Sequence, residues 1–369
     1  MSGAGKTITL ERALPMWQGG ELEDVTLAYE TWGKDRGDNR VLIFTGLSPS
    51  AHAASSPEDD SPGWWEDIIG PGKPLDTDHY HVICFNSLGS CFGSTGPASI
   101  NPASGKPWAI DFPELHIEDI ARSIGMALEQ LGLDELDTIV GPSMGGMIGL
   151  AYLLLHPGKT RRFLSISSAM AADPYAIAVR SLQRELIRSD AAWQDGRYAP
   201  DQQPIAGMRL ARKLGMTTYR SATEWRQRFA RDRIAGEKPG HPAFPLEFEV
   251  EGYLEAAAEK FVGGFDANCY QYLSRAMDLF DAAAHAGGDI DAAMDKLQLE
   301  SAHVIGVETD ILFPPHQQRE LARAIDAAGI PVEYTQMASL QGHDAFLTDM
   351  ERFQPVIAEY LRPADLRDD

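Results

Sequence analysis

The segment Gly141-Pro142-Ser143-Met144-Gly145-Gly146 lies between a short apolar run at 137–141 and a longer one at 147–155. The first run has the length of a buried strand and the second has the length of a buried helix. A serine between glycines at a strand-to-helix turn is typical of a nucleophile elbow, where neighbouring side chains would collide with the backbone. The segment therefore predicts that Ser143 is a nucleophile, provided that the chain also supplies a base and an acid.

Strand-like runs alternate with helical runs over most of the chain. Apolar and β-branched runs occur at 25–32, 40–46, 79–86, 138–141, 161–168, 302–307 and 332–337. Helical periodicity marks 117–133, 314–329 and 344–362. This alternation predicts an α/β fold with a mostly parallel central sheet flanked by helices.

The region 171–300 differs from the rest of the chain. Strand signals disappear there, and helical periodicity dominates segments such as 175–190 and 268–285. A Gly/Pro-rich stretch at 234–245 predicts a surface loop. We therefore predict a core domain formed by 1–170 and 301–369, and a helical lid domain at 171–300.

A serine hydroxyl needs a histidine to accept its proton and a carboxylate to orient that histidine. Of the ten histidines, His316 and His343 lie in the C-terminal return to the sheet, and His316 begins a predicted helix. His343 precedes the last predicted helix, and Asp310 follows the strand at 302–307. The chain order Ser143, Asp310, His343 is that of the α/β-hydrolase fold, which we predict here. Taken singly, Asp310 could be a turn residue and His343 a surface loop residue.

The tetrahedral intermediate of acyl transfer also needs N–H donors. We expect the backbone N–H of Met144 to be one donor, and the other to come from the loop after an early strand. Leu47 follows the strand at 40–46 and is our candidate, although a glycine-containing turn at Gly46 also has an ordinary structural explanation.

Composition limits the function classes. The 369 residues are 44% hydrophobic, enough for a large core, and the formal net charge of −22 argues against nonspecific binding to nucleic acid or an anionic membrane. Three cysteines without C-x-x-C spacing predict neither a disulfide framework nor a zinc site, and the scattered histidines predict no other metal site. The N-terminal segment lacks a signal-peptide core, and no apolar run approaches the roughly 18 residues of a membrane span. We expect a cytoplasmic protein.

Five long, irregular segments resemble the homoserine O-acyltransferase family of α/β-hydrolase-fold enzymes, and together they span nearly the full chain. They are GWWEDIIGPGKPLDTDHY (63–80), NSLGSCFGSTGPASINPASGKPW (86–108), GPSMGGM (141–147), TDILFPPHQQREL (309–321) and QGHDAF (341–346). The resemblance implies a ping-pong reaction in which Ser143 takes an acyl group from acyl-CoA and an amino-acid hydroxyl receives it. It implies no bound cofactor, a homodimer, and a lid that forms a tunnel for CoA.

The resemblance also implies two residues that bind the amino acid. Members hold its carboxylate with an arginine and its ammonium with an aspartate, and the matching positions are Arg212 and Asp344. Charge pairing suits both roles. Without the resemblance, Arg212 would be interpreted as a solvated helix residue.

The loop after the second strand-like run separates this chain from acetyl-transferring members. Those members show a His-Ala-Leu-Thr-Gly type of string, whereas this chain reads Thr45-Gly46-Leu47-Ser48-Pro49-Ser50-Ala51-His52-Ala53. The difference makes Gly46, Ser48, Pro49 and Ser50 candidate substrate-specificity residues. In this loop the chain resembles the branch of L-serine O-succinyltransferases.

Arg180 strengthens that interpretation, because acetyl-transferring members tend to carry asparagine there. A succinyl carboxylate in a dry site needs a cation, so we expect Arg180 to select succinyl-CoA over acetyl-CoA. The alternative is that Arg180 lies on a solvated helix face with Arg184 and Glu185.

Three function classes follow. The first is transfer of succinyl from succinyl-CoA to L-serine in cysteine synthesis, or, with the same mechanism, transfer of acetyl or succinyl to L-homoserine in methionine synthesis. L-Serine and L-homoserine differ by one methylene, which is worth only about 1–3 kcal/mol of binding free energy. The sequence therefore distinguishes these two acceptors only weakly. The second is an esterase that uses water, and the third is a noncatalytic binding protein. We expect Tyr270, Tyr272, Met277 and Phe280 to pack as the core of the lid.

Overall fold

A computed structural model describes residues 5–236, 239–241 and 243–363. Its centre is an eight-stranded sheet, whose strands in chain order are β1 (Lys6–Thr9), β2 (Thr26–Trp32), β3 (Arg40–Phe44), β4 (His81–Phe85), β5 (Leu136–Pro142), β6 (Thr160–Ile166), β7 (Ser301–Val307) and β8 (Val332–Met337). The spatial order is β1-β2-β4-β3-β5-β6-β7-β8. β1 and β2 run antiparallel to their neighbours, and the other pairs are parallel.

The predicted fold class is confirmed, and each predicted strand is present within a few residues of its expected ends. The sequence analysis missed β1, which has one buried residue, Ile8, among exposed neighbours. A short edge strand of that kind lacks the apolar run that marks β3 and β4, which are buried on both faces. Four two-residue strand pairs also form, at Leu14–Pro15 with Glu21–Leu22, Ile69–Gly70 with Leu75–Asp76, Ile100–Asn101 with Lys106–Pro107, and Gly240–His241 with Phe244–Pro245.

Helices cover both faces of the sheet. They are α1 (Ile117–Leu131), α2 (Met144–Leu155), α3 (Pro174–Arg188), α4 (Ile205–Tyr219), α5 (Ala222–Phe229), α6 (Glu249–Phe261), α7 (Ala267–Leu279), α8 (Ile290–Met294), α9 (Pro315–Ala327), α10 (Ala345–Thr348) and α11 (Met350–Tyr360). α2 is buried along almost its whole length, which explains why its sequence is apolar on every side. Short 3₁₀ turns lie at Ala109–Asp111, Ala191–Gly196, Ala282–Ala286 and Gly342–Asp344.

One predicted helix is different in the structure. The stretch 344–362 is not continuous, because the backbone at Asp349 leaves the helical region (φ −110°, ψ 58°) between α10 and α11. His343 lies just before this stretch, in a separate 3₁₀ turn that precedes α10. This places it in a loop, as the sequence analysis expects.

Helices α3 to α8 occupy the stretch between β6 and β7. α3 packs against both α4 and α7, so residues far apart in the sequence meet at one surface. The predicted loop at 234–245 contains the strand pair named above, and residues 237, 238 and 242 lie outside the described residues. The division into a core and a lid domain at 171 and 300 stays a prediction.

Two apolar clusters lie on the two faces of the sheet. One includes Phe44, Met144 and Phe163, and the other includes Trp65, Val140 and Phe353. Alternate residues of β5 thus enter opposite clusters, which holds the end of β5 rigidly at the point where Ser143 follows. Among the described residues, no helix has the length and apolar character needed to cross a membrane.

Candidate active site

Ser143 follows β5 directly and precedes α2. Its backbone has φ 57° and ψ −125°, a region that non-glycine residues rarely adopt. Its N–H donates to the Ile166 carbonyl (2.8 Å), which holds the turn against β6. A strained serine at the end of a central strand is the geometry of a nucleophile elbow.

The glycines around Ser143 are required by close backbone contacts. A Cβ at Gly141 would lie 2.4 Å from the Gly145 oxygen, and a Cβ at Gly145 would lie 2.2 Å from the Phe44 oxygen. A Cβ at Gly146 would lie 2.5 Å from the Ser168 side chain. These glycines are therefore needed for steric reasons: a side chain at any of the three positions would collide with the turn itself, with the end of β3 or with the segment after β6.

His343 bridges Ser143 and Asp310. Its Nε2 lies 2.9 Å from the Ser143 Oγ, and its Nδ1 lies 2.8 Å from the Asp310 Oδ2. The other oxygen of Asp310 accepts from the N–H groups of Leu312 and Phe313, each at 2.9 Å. Asp310 and His343 are both buried. The three side chains thus form the connected chain that a serine nucleophile needs.

The environment of His343 favours its protonated form. Burial by itself lowers the pKa of His343, but the carboxylates of Asp310 and Asp344 outweigh burial and raise the pKa above its ordinary value. Arg180 acts in the opposite direction on this pKa. A histidine with a raised pKa is a stronger base toward the Ser143 hydroxyl.

Two backbone N–H groups are available beside the nucleophile. Met144 N–H is at the start of α2, and Leu47 N–H is in the loop after β3. Within the described part of the chain, neither group donates to a protein acceptor. Their role as oxyanion donors stays a prediction.

A cavity opens above Ser143 between the sheet and the helices α3, α4 and α7. Most of the predicted site residues share this cavity: Gly46, Leu47, Ser48, Pro49, Ser143, Arg180, Arg212, His343 and Asp344 line it. Met144 is fully buried beneath it, and Asp310 lies behind His343. The structure therefore brings residues from six separate parts of the chain to one place.

Arg180 enters the cavity from α3 as a buried side chain, with 3% of the residue exposed. Its Nε donates to the Asp278 Oδ1 (2.5 Å), while its Nη1 and Nη2 are buried and have no partner among the described residues. The alternative of a solvated helix face is wrong for Arg180. Two unpaired guanidinium donors in a cavity are suited to a carboxylate ligand.

Arg212 and Asp344 are on neighbouring walls of the same cavity. The Arg212 guanidinium stacks on Phe261, 4.5 Å from the ring centroid, and on Tyr219 at 5.5 Å. Burial raises the pKa of Asp344, although His343, Arg220 and Arg212 counteract this change. The two groups offer one cation and one anion to a ligand, and their roles toward an amino acid stay a prediction.

Comparison with known proteins identifies the family of the chain. The model of the alpha/beta hydrolase fold family matches residues 39–349. A curated relative from Litchfieldella anticariensis, named serine O-succinyltransferase, is 55% identical over 98% of this chain and 99% of its own length. A relative of the same name from Stenotrophomonas maltophilia is 51% identical over 95% of this chain and 96% of its own.

The chain belongs to the α/β-hydrolase fold family and, within it, to the serine O-succinyltransferases. The resemblance to the homoserine O-acyltransferases, and to this branch in particular, is confirmed. Among solved structures, a homoserine O-acetyltransferase from Bacillus anthracis has a TM-score of 0.89 at 26% identity over 97% of both chains. Esterase E22 has a TM-score of 0.86 at 26% identity over 97% of this chain and 99% of its own.

Ser50 does not share the cavity wall with the rest of its loop in this member of the serine O-succinyltransferases. Its carbonyl accepts from the Trp64 Nε1 (3.1 Å), and its Oγ accepts from the His52 N–H (3.2 Å). Trp64 itself lines the cavity. Ser50 thus contacts one residue of the cavity wall, Trp64, through its carbonyl.

Sequence reasoning missed several residues of the cavity. Tyr270 and Met277 are buried, as expected of lid core, but they also line the cavity. Helical periodicity identifies a buried face without showing whether protein or ligand lies against it. Tyr219, beside the imidazole of His343, and Gln183 were missed for the same reason. The geometry of Ser143, Asp310 and His343 fits a catalytic role, which stays a prediction.

Within 5–236, 239–241 and 243–363, no group of three or more His, Cys, Asp and Glu side chains is arranged to hold a metal ion. His316, the alternative histidine of the C-terminal part, lies 3.5 Å from Asp173 and is half exposed.

Proposed function

We propose that the protein transfers the succinyl group of succinyl-CoA to the hydroxyl of L-serine through a succinyl ester of Ser143. In the first step His343 takes the proton of the Ser143 Oγ, the oxygen attacks the thioester carbonyl, and the C–S bond breaks. CoA leaves as the thiol with the proton from His343. In the second step the serine hydroxyl gives its proton to His343 and attacks the ester carbonyl, the bond between the acyl carbon and the Ser143 Oγ breaks, and this oxygen takes the proton back from His343.

Asp310 keeps the proton of His343 on Nδ1, so that Nε2 faces Ser143 as an acceptor. This assignment is supported by the 2.8 Å contact of Asp310 with Nδ1 and the 2.9 Å contact of Ser143 with Nε2. Met144 and Leu47 would donate their free N–H groups to the oxyanion of each tetrahedral intermediate.

The observation that carries the choice of donor is the buried guanidinium of Arg180. Its two unpaired Nη groups share a cavity with the proposed nucleophile. A succinyl group would satisfy them with its free carboxylate, whereas an acetyl group would leave them unpaired. An unsatisfied buried charged group costs about 3 kcal/mol or more, so the preference should be large.

The acceptor is held by its charged ends. Arg212 would bind the carboxylate of L-serine, and Asp344 would bind its ammonium. The two residues line the same cavity as Ser143, and Asp344 is adjacent in sequence to His343. A zwitterion bound in this way directs its side-chain hydroxyl toward the base. The shared name of the curated relatives supports L-serine over L-homoserine.

A matrix of two donors and two acceptors tests the function. We expect the highest kcat/KM with succinyl-CoA and L-serine when thiol release is followed for both thioesters with L-serine and L-homoserine. Equal or higher values with L-homoserine or with acetyl-CoA would contradict the assignment of acceptor or donor respectively.

A second candidate, hydrolysis, is favoured by the structural likeness to esterase E22. Transfer and hydrolysis differ in whether an amino acid is needed. We expect a single burst of thiol without acceptor and steady turnover only after L-serine is added. Steady turnover without L-serine would instead identify a hydrolase.

We also propose that the protein is a cytoplasmic homodimer. Its three cysteines are free thiols, which fits a reducing compartment. The dimer is supported by the resemblance to the acyltransferase family. Light scattering after size-exclusion chromatography should give twice the 40.4 kDa mass of the chain, and a mass of one chain would contradict the dimer.

A further inference from the structure

Arg180 is joined to a second arginine through one carboxylate. Its Nε donates to the Asp278 Oδ1 (2.5 Å), and the other oxygen, Oδ2, lies 2.7 Å from the Nη1 of Arg184. The side chains of Arg180, Asp278 and Arg184 are 4%, 7% and 13% exposed. They form a buried row between α3 and α7, and only Arg180 lines the cavity.

The row explains why the terminal donors of Arg180 are free. A carboxylate and a guanidinium prefer the bidentate arrangement, with two parallel hydrogen bonds. Here Asp278 makes one hydrogen bond to Arg180, and its second oxygen faces Arg184. The ion pair with Arg184 thus engages an oxygen that makes no hydrogen bond within the described residues and that could otherwise pair with a terminal nitrogen of Arg180.

The row also carries an unbalanced charge. Two guanidinium groups face one carboxylate, which leaves one positive charge in a buried setting. The other charged groups of the cavity wall, Arg212 and Asp344, offset each other. A bound carboxylate would remove the imbalance, so the row favours an anionic acyl group by charge as well as by geometry.

Arg184 is itself held in place. Its Nη1 donates to the Ser274 Oγ (2.9 Å), and Ser274 is fully buried on α7. The next arginine on the same side of α3, Arg188, differs, because it is exposed and contacts the Gln271 Oε1 (3.1 Å). Arg180, Arg184 and Arg188 are spaced by one helical turn; Arg180 and Arg184 both contact Asp278, and of these two only Arg180 lines the cavity.

We propose that Arg184 is a positioning residue for donor selection, which acts through Asp278 to keep both Nη groups of Arg180 free for the succinyl carboxylate. This inference rests on the proposed transfer from succinyl-CoA. Removing Arg184 would let Asp278 pair with Arg180 through both oxygens and would cancel the positive charge of the row. Both changes lower the affinity for a succinyl carboxylate and leave an acetyl group unaffected.

The test compares kcat/KM for succinyl-CoA with that for acetyl-CoA, at saturating L-serine, in Arg184→Gln. We expect the ratio of kcat/KM for succinyl-CoA to that for acetyl-CoA to fall by about tenfold or more. The reason is that Arg184→Gln weakens the charged hydrogen bonds between Arg180 and the succinyl carboxylate. Arg188→Gln is the matched control, because it removes an arginine from the same helix without touching Asp278, and its ratio should equal that of the unaltered protein. An unchanged ratio in folded Arg184→Gln would overturn the proposal.

Arg184→Lys provides a second variant that keeps the charge if Arg184→Gln does not fold. A lysine retains the ion pair with Asp278, so the ratio should stay within about threefold of the unaltered value. A fall as large as that in Arg180→Asn would overturn the positioning role. If the unaltered protein does not use succinyl-CoA at all, the proposed function fails, whereas a normal donor preference that is insensitive to Arg184 refutes this inference alone.

Discussion

The two sides of the cavity are built by different means. On the sheet side, Ser143, Asp310 and His343 follow the ends of strands, and tight turns hold them in hydrogen-bonding distance. On the helical side, Arg180 and Arg212 project from α3 and α4, and pairing or stacking with residues of α6 and α7 positions them. The comparison indicates that backbone geometry positions the proposed catalytic residues and that helix packing positions the arginines proposed to bind the substrates.

The largest effect is expected on the sheet side. Ser143→Ala removes the nucleophile and should lower kcat/KM by a factor on the order of 10⁴ or more, because no acyl-enzyme can form. Mass spectrometry after incubation with succinyl-CoA should show no added succinyl group. Ser181→Ala, on the exposed surface of α3, is the control and should retain activity. A succinylated Ser143→Ala protein would show that another residue is the nucleophile.

The backbone on the sheet side should tolerate change less well than the backbone on the helical side. In Gly145→Ala the new Cβ would approach the Phe44 oxygen to 2.2 Å and the Phe44 carbon to 2.8 Å, so unfolding free energy should fall by about 3 kcal/mol. In Gly252→Ala, within α6, the nearest atom is a side-chain carbon of Ile234 at 3.7 Å. Denaturant titration should show this second variant to be at least as stable as the parent, because alanine favours a helix over glycine by about 1 kcal/mol. Equal free energies of unfolding for Gly145→Ala and Gly252→Ala would contradict the expected difference between the sheet side and the helical side.

The helical side should affect the acceptor without affecting acylation. Arg212→Gln removes the cation proposed to bind the carboxylate of L-serine. The KM for L-serine should therefore rise by about 10- to 100-fold, because a hydrogen bond to a charged group contributes about that factor to affinity. The thiol burst with succinyl-CoA alone should not change. Arg209→Gln, one turn earlier on α4, loses only its pairing with Glu255 and serves as the control. A smaller burst in Arg212→Gln would place Arg212 in the first half-reaction instead.

The smallest effect is a shift in pH dependence that joins the two sides. His343 must be neutral to act as a base, so the rate of the burst should rise with pH through its pKa, which lies above the ordinary value. Asp344 raises this pKa and Arg180 lowers it. Asp344→Asn should therefore move the acidic limb to lower pH, and Arg180→Asn should move it to higher pH.

An activated ester without a charged acyl group is the appropriate substrate for that measurement. It separates the effect on His343 from the proposed binding roles of Asp344 and Arg180. Shifts in the same direction for both variants would contradict the electrostatic interpretation.

Much of the site on the sheet side was predictable. The glycines around Ser143 and the loop positions of Asp310 and His343 are visible as local patterns, because a strand, a sharp turn and a helix each leave a signature of a few residues. β1 and the break at Asp349 were not predictable. The first has one buried residue, and the second has no glycine or proline to mark it.

The sequence by itself determined the fold class and the order of the three proposed triad residues, because the periodicity of strands and helices and the steric demand for glycine act over short distances along the chain. Only the tertiary structure decided which charges meet. Arg180 and Asp278 are 98 residues apart, and nothing near either one predicts their contact. Their pairing depends on the packing of α3 on α7, and burial there leaves Arg180 with two donors that have no partner among the described residues, in the cavity that Ser143 also lines.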